Sequence, residues 1–280
     1  MSKSLLVIVT GANRGIGRAI CENILARPDS SAIKLFATTR KGDNLGLSSA
    51  NGGSEVLYPK LDISHQDSIH AFRDEVKQHG DVNVLINNAG VNLDDHYSAE
   101  TAKQTLDVNY RGTVEMCKTF MPYLSKSGRI VNLSSIASTL KLYDSPIQER
   151  LRNATRLSQL DELAQEFEDA VKAENESKAG FGQPGRAYSF SKALLRAATG
   201  ILAQEDRDAN AQSDVLINCC CPGWVSTDMG KLVGRAPKKP EEGARIPVRL
   251  AFDDLNGTTG EYWANDSVRS RESGKVQPWV

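Results

Sequence analysis

The chain has 280 residues, of which 40% are hydrophobic and 25% charged, and its formal net charge is −1. This composition is typical of a globular protein, and the charge gives no reason to expect nucleic acid or an anionic membrane as a partner. We expect a cytoplasmic protein with reduced thiols, because no run has transmembrane length, no signal peptide is recognisable and the five cysteines fit no common metal site.

The first motif is a glycine-rich turn between a predicted strand and a predicted helix. Leu5–Val9 is a short apolar run typical of a strand buried on both faces, and residues 18–26 have apolar positions at helical spacing. Between them lies Thr10-Gly-Ala-Asn-Arg-Gly-Ile-Gly17. Glycines let a backbone approach a pyrophosphate, and a helix N-terminus stabilises its charge. The order strand, glycine turn, helix favours nucleotide binding.

The second predicted strand, residues 33–39, indicates which cofactor is bound. An acidic residue at its end would bind the ribose hydroxyls of NAD, but this chain has Thr39 and Arg40 there. Arg14 lies within the glycine turn. Two guanidinium groups can bind a ribose 2′-phosphate, so NADP(H) is favoured over NAD. The alternative is that both arginines are solvated surface residues.

Strands and helices alternate along the rest of the chain. Strands are predicted at residues 56–62, 82–86, 128–133, 215–219 and 260–264, and helices at residues 64–77 with Ser64 as N-cap, 101–124 with a break near Arg111, 158–173, 188–204 and 241–252. Residues 41–54 resemble a loop with at most a frayed helical turn. The pattern predicts one α/β domain over residues 1–280, a doubly wound Rossmann-type parallel sheet flanked by helices.

Residues 139–187 interrupt this alternation. Within them, the helix predicted over residues 158–173 carries an apolar stripe formed by Leu160, Leu163, Phe167 and Val171. We therefore expect a long helical insertion that packs on the domain.

Tyr188 and Lys192 lie one turn apart on the helix that follows the insertion. An ammonium group beside a phenol favours the phenolate and lowers the tyrosine pKa, which makes the side chain useful as an acid or base near neutral pH. By itself this pair is more often a chance occurrence than a site. It gains meaning only if the chain builds a cofactor and a substrate around it.

Several motifs in this order resemble the short-chain dehydrogenase/reductase family, from the first strand to about residue 265. They are the glycine turn, Asp62-Ile63, Asn87-Asn-Ala-Gly90, Asn109, Ser135, Tyr188 with Lys192, and Pro222-Gly223. The long stretch between Ser135 and Tyr188, with residues 218–229 and 240–244, is similar to the monomeric carbonyl reductase branch. In oligomeric relatives the helices beside the active site pair across an interface that the insertion could cover, so a monomer is expected.

The resemblance implies a role for each of four catalytic residues. Tyr188 gives its proton to the carbonyl oxygen as hydride arrives, and Lys192 lowers the phenol pKa and binds the nicotinamide ribose. Ser135 orients and polarises the carbonyl group. Asn109 holds a water molecule that links the lysine to solvent, although its position in the pattern alone indicates a surface asparagine.

The resemblance also implies binding residues. For the cofactor they are Gly11, Asn13, Arg14, Gly15, Ile16, Gly17, Arg40, Asp62, Ile63, Asn88, Ala89, Gly90, Tyr188, Lys192, Pro222, Gly223, Val225 and Thr227. For the substrate they are Ser135, Tyr188, Trp224 and Met229, with core packing as the alternative for Trp224.

The segment after Gly90 departs from some carbonyl reductases. Asp94 and Asp95 stand where an apolar and basic stretch contacts glutathione in those enzymes, and they would repel a glutathione carboxylate. His96 is interpreted as a loop histidine, because the proton chemistry is already assigned.

The expected function is NADPH-dependent reduction of ketones, aldehydes or quinones as small-molecule substrates. One alternative is an NADP-dependent dehydrogenase of a specific secondary alcohol, such as a polyol, a steroid or a secondary metabolite. The arginine pair argues against it, because the cellular NADPH pool favours reduction. Another alternative is a non-catalytic, NADP-binding redox sensor, but such proteins usually lose Tyr188 or Lys192, and both are present.

Overall fold

A twisted sheet of eight strands forms the centre of the computed structural model, which describes residues 4–27, 32–49 and 53–280. The strands are β1 (Leu5–Val9), β2 (Ile33–Ala37), β3 (Glu55–Leu57), β4 (Val82–Asn87), β5 (Leu124–Leu133), β6 (Leu216–Cys220), β7 (Tyr262–Ala264) and β8 (Lys275–Val276). Their order is β3-β2-β1-β4-β5-β6-β7-β8, and each pair is parallel except β7 with β8. The order reverses between β1 and β4, and open α/β sheets bind ligands at the carboxyl ends of strands at such a point.

Ten α-helices surround this sheet in the described residues. They are α1 (Gly15–Leu25), α2 (Gln66–Val76), α3 (Ala99–Leu106), α4 (Thr113–Phe120), α5 (Ser145–Asn153), α6 (Leu157–Lys172), α7 (Ala187–Ala209), α8 (Asp228–Lys231), α9 (Pro240–Gly243) and α10 (Arg245–Phe252). A π-helical segment, Asp107–Gly112, joins α3 to α4 at the predicted break. Across residues 4–27, 32–49 and 53–280, none of the helices has the length and apolar character that crossing a membrane requires.

Strand β1 shows why both faces of the sheet are covered. Successive side chains on a strand point to opposite faces. Val7 and Val9 pack into a core with α1 and α10, whereas Leu6 and Ile8 pack into a second core with α2 and α4. The predicted doubly wound α/β fold is therefore confirmed.

Residues 139–187 contain α5 and α6, which pack with α7 around a third core. The α6 stripe is buried and consists of Leu160, Leu163, Phe167 and Val171. The centres of the Phe167 ring and the Phe190 ring of α7 are 4.6 Å apart. Helix α6 thus covers the face of α7 that carries Phe190, and α7 is the helix that contains Tyr188.

Some boundaries differ from the sequence expectations. Ser64 does not cap α2, because its hydroxyl donates to Asp62 Oδ1 at 2.6 Å and the helix begins at Gln66. The helix expected over residues 241–252 is divided into α9 and α10, and the two-residue strand β8 has no counterpart among the predicted strands. Residues 41–49 form a loop without a helical turn, and residues 50–52 lie outside the described residues.

Candidate active site

The glycine turn between β1 and α1 is closed by the segment that follows β4. Gly11 has a φ of +67°, a conformation that favours glycine. A Cβ added to Gly17 would lie 2.2 Å from Gly11 O and 2.4 Å from Asn88 Nδ2. Thr10 Oγ1 accepts the backbone N–H groups of Asn88 and Ala89 at 3.0 and 2.9 Å. Two segments with predicted cofactor residues are therefore in direct contact.

Gly90 connects this turn to the buried polar side chains below it. A Cβ added to Gly90 would lie 3.0 Å from Asn109 Oδ1 and 3.5 Å from Lys192 Nζ. Asn109 Oδ1 accepts the N–H of Val91 at 2.8 Å, and its Nδ2 donates to Val91 O at 2.8 Å and to Ser191 Oγ at 3.0 Å. Asn109 is fully buried in the π-helical segment, so its interpretation as a surface residue is wrong.

Ser135, Tyr188 and Lys192 are adjacent, as the sequence motifs predict. Ser135 lies two residues after the end of β5, and its side chain is close enough to that of Tyr188, in the first turn of α7, to act on the Tyr188 pKa. The Ser135 hydroxyl oxygen also accepts the N–H of Ala137 at 3.1 Å. Lys192 is buried; its Nζ donates to Leu133 O at 2.7 Å and lies 5.7 Å from the centre of the Tyr188 ring. A carbonyl group bound here would lie near the hydroxyl groups of Ser135 and Tyr188, and the amine of Lys192 would lie close to both.

The electrostatics of this group differ from the expectation. Burial raises the pKa of Tyr188 to about 12, although the hydrogen bond with Ser135 acts to lower it. Burial lowers the pKa of Lys192 to about 8. The Tyr188 pKa is thus raised overall, and its lowering by Lys192 stays a prediction. Desolvation dominates, because the Lys192 ammonium donates to the Leu133 carbonyl group and not to the phenol oxygen.

The two arginines predicted to bind a 2′-phosphate have different environments. Arg14 Nη1 lies 2.7 Å from Asp228 Oδ2, in an exposed ion pair that joins the glycine turn to α8. Arg40 is exposed near Asp62. Burial acts to raise the pKa of Asp62, but hydrogen bonds from Ser64 and nearby positive charge, including that of Arg40, hold it below its usual value. Arg14 therefore already pairs with the carboxylate of Asp228, a contact that the sequence motifs do not predict.

The loop between β6 and α8 lies against the glycine turn. Thr227 caps α8, since its Oγ1 accepts the N–H of Gly230 at 3.0 Å, and its Cγ2 is 3.0 Å from the position of a Cβ on Gly15. The Trp224 indole N–H donates to Gly230 O at 2.9 Å, and its ring lies 3.5 Å from the position of a Cβ on Gly234. These contacts support the packing role that was the alternative for Trp224.

The other predicted residues lie on the same elements with different exposure. Asn13 is exposed, Ile16, Gly223 and Met229 are half-buried, and Ile63, Pro222 and Val225 are buried. His96 is exposed, and its Nε2 lies 3.7 Å from Asp95 Oδ2, which fits a loop histidine.

Two buried side chains form hydrogen bonds with the loop after β6, and no sequence motif predicts these contacts. Lys238 Nζ donates to Pro222 O at 2.8 Å, and the residue is 1% exposed. Cys221 Sγ accepts the N–H groups of Ile136 and Gly223 at 3.2 and 3.3 Å. It therefore links the segment that contains Ser135 to the loop after β6. Lys238 lies in a basic stretch that is typical of a solvated surface. Cys219 and Cys221 lie on one face of the sheet and Cys220 on the other, but this alternation does not reveal the contacts of Cys221.

The sequence is similar to known reductases over nearly its full length. A family model described as short chain dehydrogenase matches residues 5–146. Carbonyl reductase (NADPH) 1 of Mus musculus is 32% identical over 287 residues, which cover 98% of this chain and 98% of the relative. Carbonyl reductase (NADPH) 1 of Bos taurus is 33% identical over 279 residues, which cover 95% of this chain and 98% of the relative.

Solved structures share the fold. Salutaridine reductase from Papaver somniferum superposes with a TM-score of 0.77 at 26% identity and covers 92% of this chain and 99% of its own. The NADPH-bound carbonyl reductase from chicken fatty liver has a TM-score of 0.69 at 21% identity, over 99% of this chain and 95% of its own, and it shows the fold alone. The family match and the full-length relatives show that the chain belongs to the short chain dehydrogenase family.

Proposed function

We propose that this protein is an NADPH-dependent carbonyl reductase that converts ketones, aldehydes or quinones to alcohols by hydride transfer, with Tyr188 as the general acid. The observation that supports this proposal best is the proximity of Ser135 to Tyr188 beside the buried Lys192. These residues lie at the carboxyl ends of the strands, where the glycine turn also lies. Full-length similarity to NADPH carbonyl reductases supports the same cofactor and substrate class.

The glycine turn fits a dinucleotide. Helix α1 has no side-chain cap and no acidic residue in its first turn, so its first N–H groups are suited to a pyrophosphate. NADPH, when bound, supplies the hydride. The chain would hold it through Gly11, Asn13, Arg14, Gly15, Ile16, Gly17, Arg40, Asp62, Ile63, Asn88, Ala89, Gly90, Tyr188, Lys192, Pro222, Gly223, Val225 and Thr227.

The side chains can move the proton that the reaction needs. With a pKa of about 12, the Tyr188 phenol stays protonated at neutral pH, and it gives this proton to an alkoxide, which is a stronger base. The Ser135 hydroxyl orients the carbonyl oxygen and stabilises the charge that develops on it. Lys192, with a pKa of about 8, is mostly charged at pH 7 and stabilises the phenolate that remains. Asn109 fixes the backbone beside Lys192, which supports its proposed role in a water-mediated link to solvent.

Arg40 is proposed to select NADPH over NADH. We expect Arg40→Asp to weaken NADPH binding by about tenfold to a hundredfold, because a charge-assisted hydrogen bond is replaced by repulsion of the 2′-phosphate. NADH affinity should change little. Fluorescence titration with both cofactors measures this, with Arg152→Asp on α5 as the matched control. An equal loss of affinity for NADPH and NADH would show that Arg40 does not bind the 2′-phosphate.

The proposed activity is tested by a substrate panel. Purified protein is mixed with NADPH and a series of ketones, aldehydes and quinones, and NADPH absorbance is followed together with alcohol formation. We expect turnover of at least one carbonyl compound in the ordinary enzymatic range of about 1–10³ per second. Oxidation of a secondary alcohol with NADP⁺, without reduction of any carbonyl in the panel, would favour the dehydrogenase alternative.

We also infer a monomeric cytoplasmic protein whose substrate contacts include Ser135, Tyr188, Trp224 and Met229. The packing of α6 against α7 supports the monomer, because it covers surface that family members use for pairing. Five free, buried cysteines support a reducing compartment. Light scattering should give a mass near 30.5 kDa.

A further inference from the structure

Asp94 lies at the beginning of the helix that carries Tyr188. It belongs to a short 3₁₀ turn, Asp94–His96, in the segment that follows β4. The backbone N–H of Tyr188 donates to both carboxylate oxygens, at 3.3 and 3.2 Å, and the backbone N–H of Ala187 is close enough to act on the pKa of the carboxyl group. The N-cap residue of α7, Arg186, makes no side-chain capping hydrogen bond.

A helix leaves its first N–H groups without intrahelical partners, and a carboxylate at this end both accepts from them and complements the helix dipole. Such a cap normally comes from the residue that precedes the helix. Here it comes from a distant segment, and it is attached to the backbone of the proposed acid itself. The position of Asp94 therefore fixes the Tyr188 backbone relative to the segment that contains Gly90.

We propose that Asp94 is a positioning residue that holds Tyr188 in place through the first turn of α7 and sets the pH range in which the phenol is correctly placed. The proposal rests on the proposed function of Tyr188. It also gives Asp94 a role that differs from the repulsion of a glutathione carboxylate.

The surroundings of Asp94 support a titration in the working pH range. Burial, with a smaller contribution from the charge of Asp95, raises the pKa of Asp94 to about 6, although the N–H groups of Tyr188 and Ala187 act to lower it. The titratable and charged groups that surround it are Asp95, His96, Tyr97, Tyr143, Arg186 and Tyr188. The negative charge of Asp94 also contributes to the raised pKa of Tyr188, so its protonation changes both the cap and the phenol.

Because the pKa of Asp94 is raised in the folded protein, its contribution to folding stability falls as the pH rises. The stability that protonated Asp94 contributes is complete below the unfolded value of about 3.8 and is lost as the pH rises through about 6. The melting temperature of the wild type should therefore fall, relative to that of Asp94→Asn, across this interval.

Turnover gives the first test, with Asp94→Asn, Asp94→Ala and the neighbouring control Asp95→Asn. Asp94→Ala should lower kcat by about tenfold with little change in KM, because the first turn loses its acceptor. Asp94→Asn keeps an oxygen acceptor and should restore kcat to within about threefold of the wild type. The wild type should show a step in kcat near pH 6, and Asp95→Asn should show it at a slightly lower pH because the charge of Asp95 is removed, whereas Asp94→Asn should show no step. An unchanged step in Asp94→Asn, or a normal kcat in Asp94→Ala, would overturn the proposal.

A second readout does not depend on turnover. Nitrogen-15 labelling of the seven tyrosines gives a small set of amide signals, and Tyr188→Phe identifies the one from Tyr188. This signal should shift with a midpoint near pH 6 in the wild type and at a slightly lower pH in Asp95→Asn, but it should not shift in Asp94→Asn. A Tyr188 signal without this transition contradicts the proposal even if the protein reduces no carbonyl compound. A normal transition without turnover contradicts the proposed function alone.

Discussion

Replacement of Tyr188 by phenylalanine should lower kcat for carbonyl reduction by about 10²–10⁴ while NADPH binding stays within about twofold of the wild type. The substitution removes only the phenol oxygen. That oxygen belongs to the proposed proton donor and lies close to Ser135, whereas the ring keeps its place on α7 near Lys192. Steady-state kinetics and a fluorescence titration with NADPH measure the two effects separately.

The matched control is Tyr123→Phe. Tyr123 precedes β5 at the amino end of the sheet, opposite the strand ends where Ser135 lies. It should keep normal kcat and normal NADPH affinity. If Tyr188→Phe retained more than about a tenth of wild-type kcat, the proton would have to come from another group, and the assignment of Tyr188 would fail.

The second large effect is expected at Gly17. An alanine Cβ at this position would lie 2.2 Å from Gly11 O and 2.4 Å from Asn88 Nδ2, so the glycine turn and the segment after β4 must separate. We expect Gly17→Ala to abolish measurable NADPH binding and to lower the free energy of unfolding by about 1–3 kcal/mol or more. Thermal unfolding and NADPH titration measure these quantities.

Gly200→Ala provides the comparison. Gly200 lies inside α7, and an added Cβ would meet only Gly260 O, at an ordinary distance of 3.7 Å. Alanine is favoured over glycine in a helix interior by about 1 kcal/mol, so this variant should be as stable as the wild type or more stable. NADPH binding by Gly17→Ala at wild-type affinity would show that the turn does not approach the cofactor as proposed.

The fold follows largely from local pattern. Strands buried on both faces read as continuous apolar runs such as Leu5–Val9, and the turn after such a run is where α/β sheets bind ligands. The break at the π-helical segment and the buried stripe of α6 are also visible as changes in helical spacing. These features depend on neighbours in sequence, so the sequence contains them.

The site depends on contacts between distant segments, and these could not be read from spacing. Lys192 and Tyr188 are one turn apart, but burial, and not their spacing, has the largest influence on their pKa values. Asp94 was interpreted only through its charge, whereas its hydrogen bonds reach a helix almost a hundred residues later in the chain.

The ion pair of Arg14 with Asp228 is a second contact of this kind. It crosses from the glycine turn to α8, and neither residue has a partner nearby in sequence that predicts it. The pair shows that an arginine predicted to bind phosphate also pairs with a carboxylate, which only the tertiary structure reveals.

Isotope transfer shows whether the hydride passes directly from the nicotinamide to the carbonyl carbon of the substrate. A ketone or an aldehyde from the panel is reduced with NADPH that carries two deuterium atoms on the hydride-donating carbon of the nicotinamide. We expect an alcohol with one deuterium on the former carbonyl carbon, formed by the wild type and almost lost in Tyr188→Phe. Unlabelled alcohol, or NADPH consumption without labelled alcohol, would contradict it.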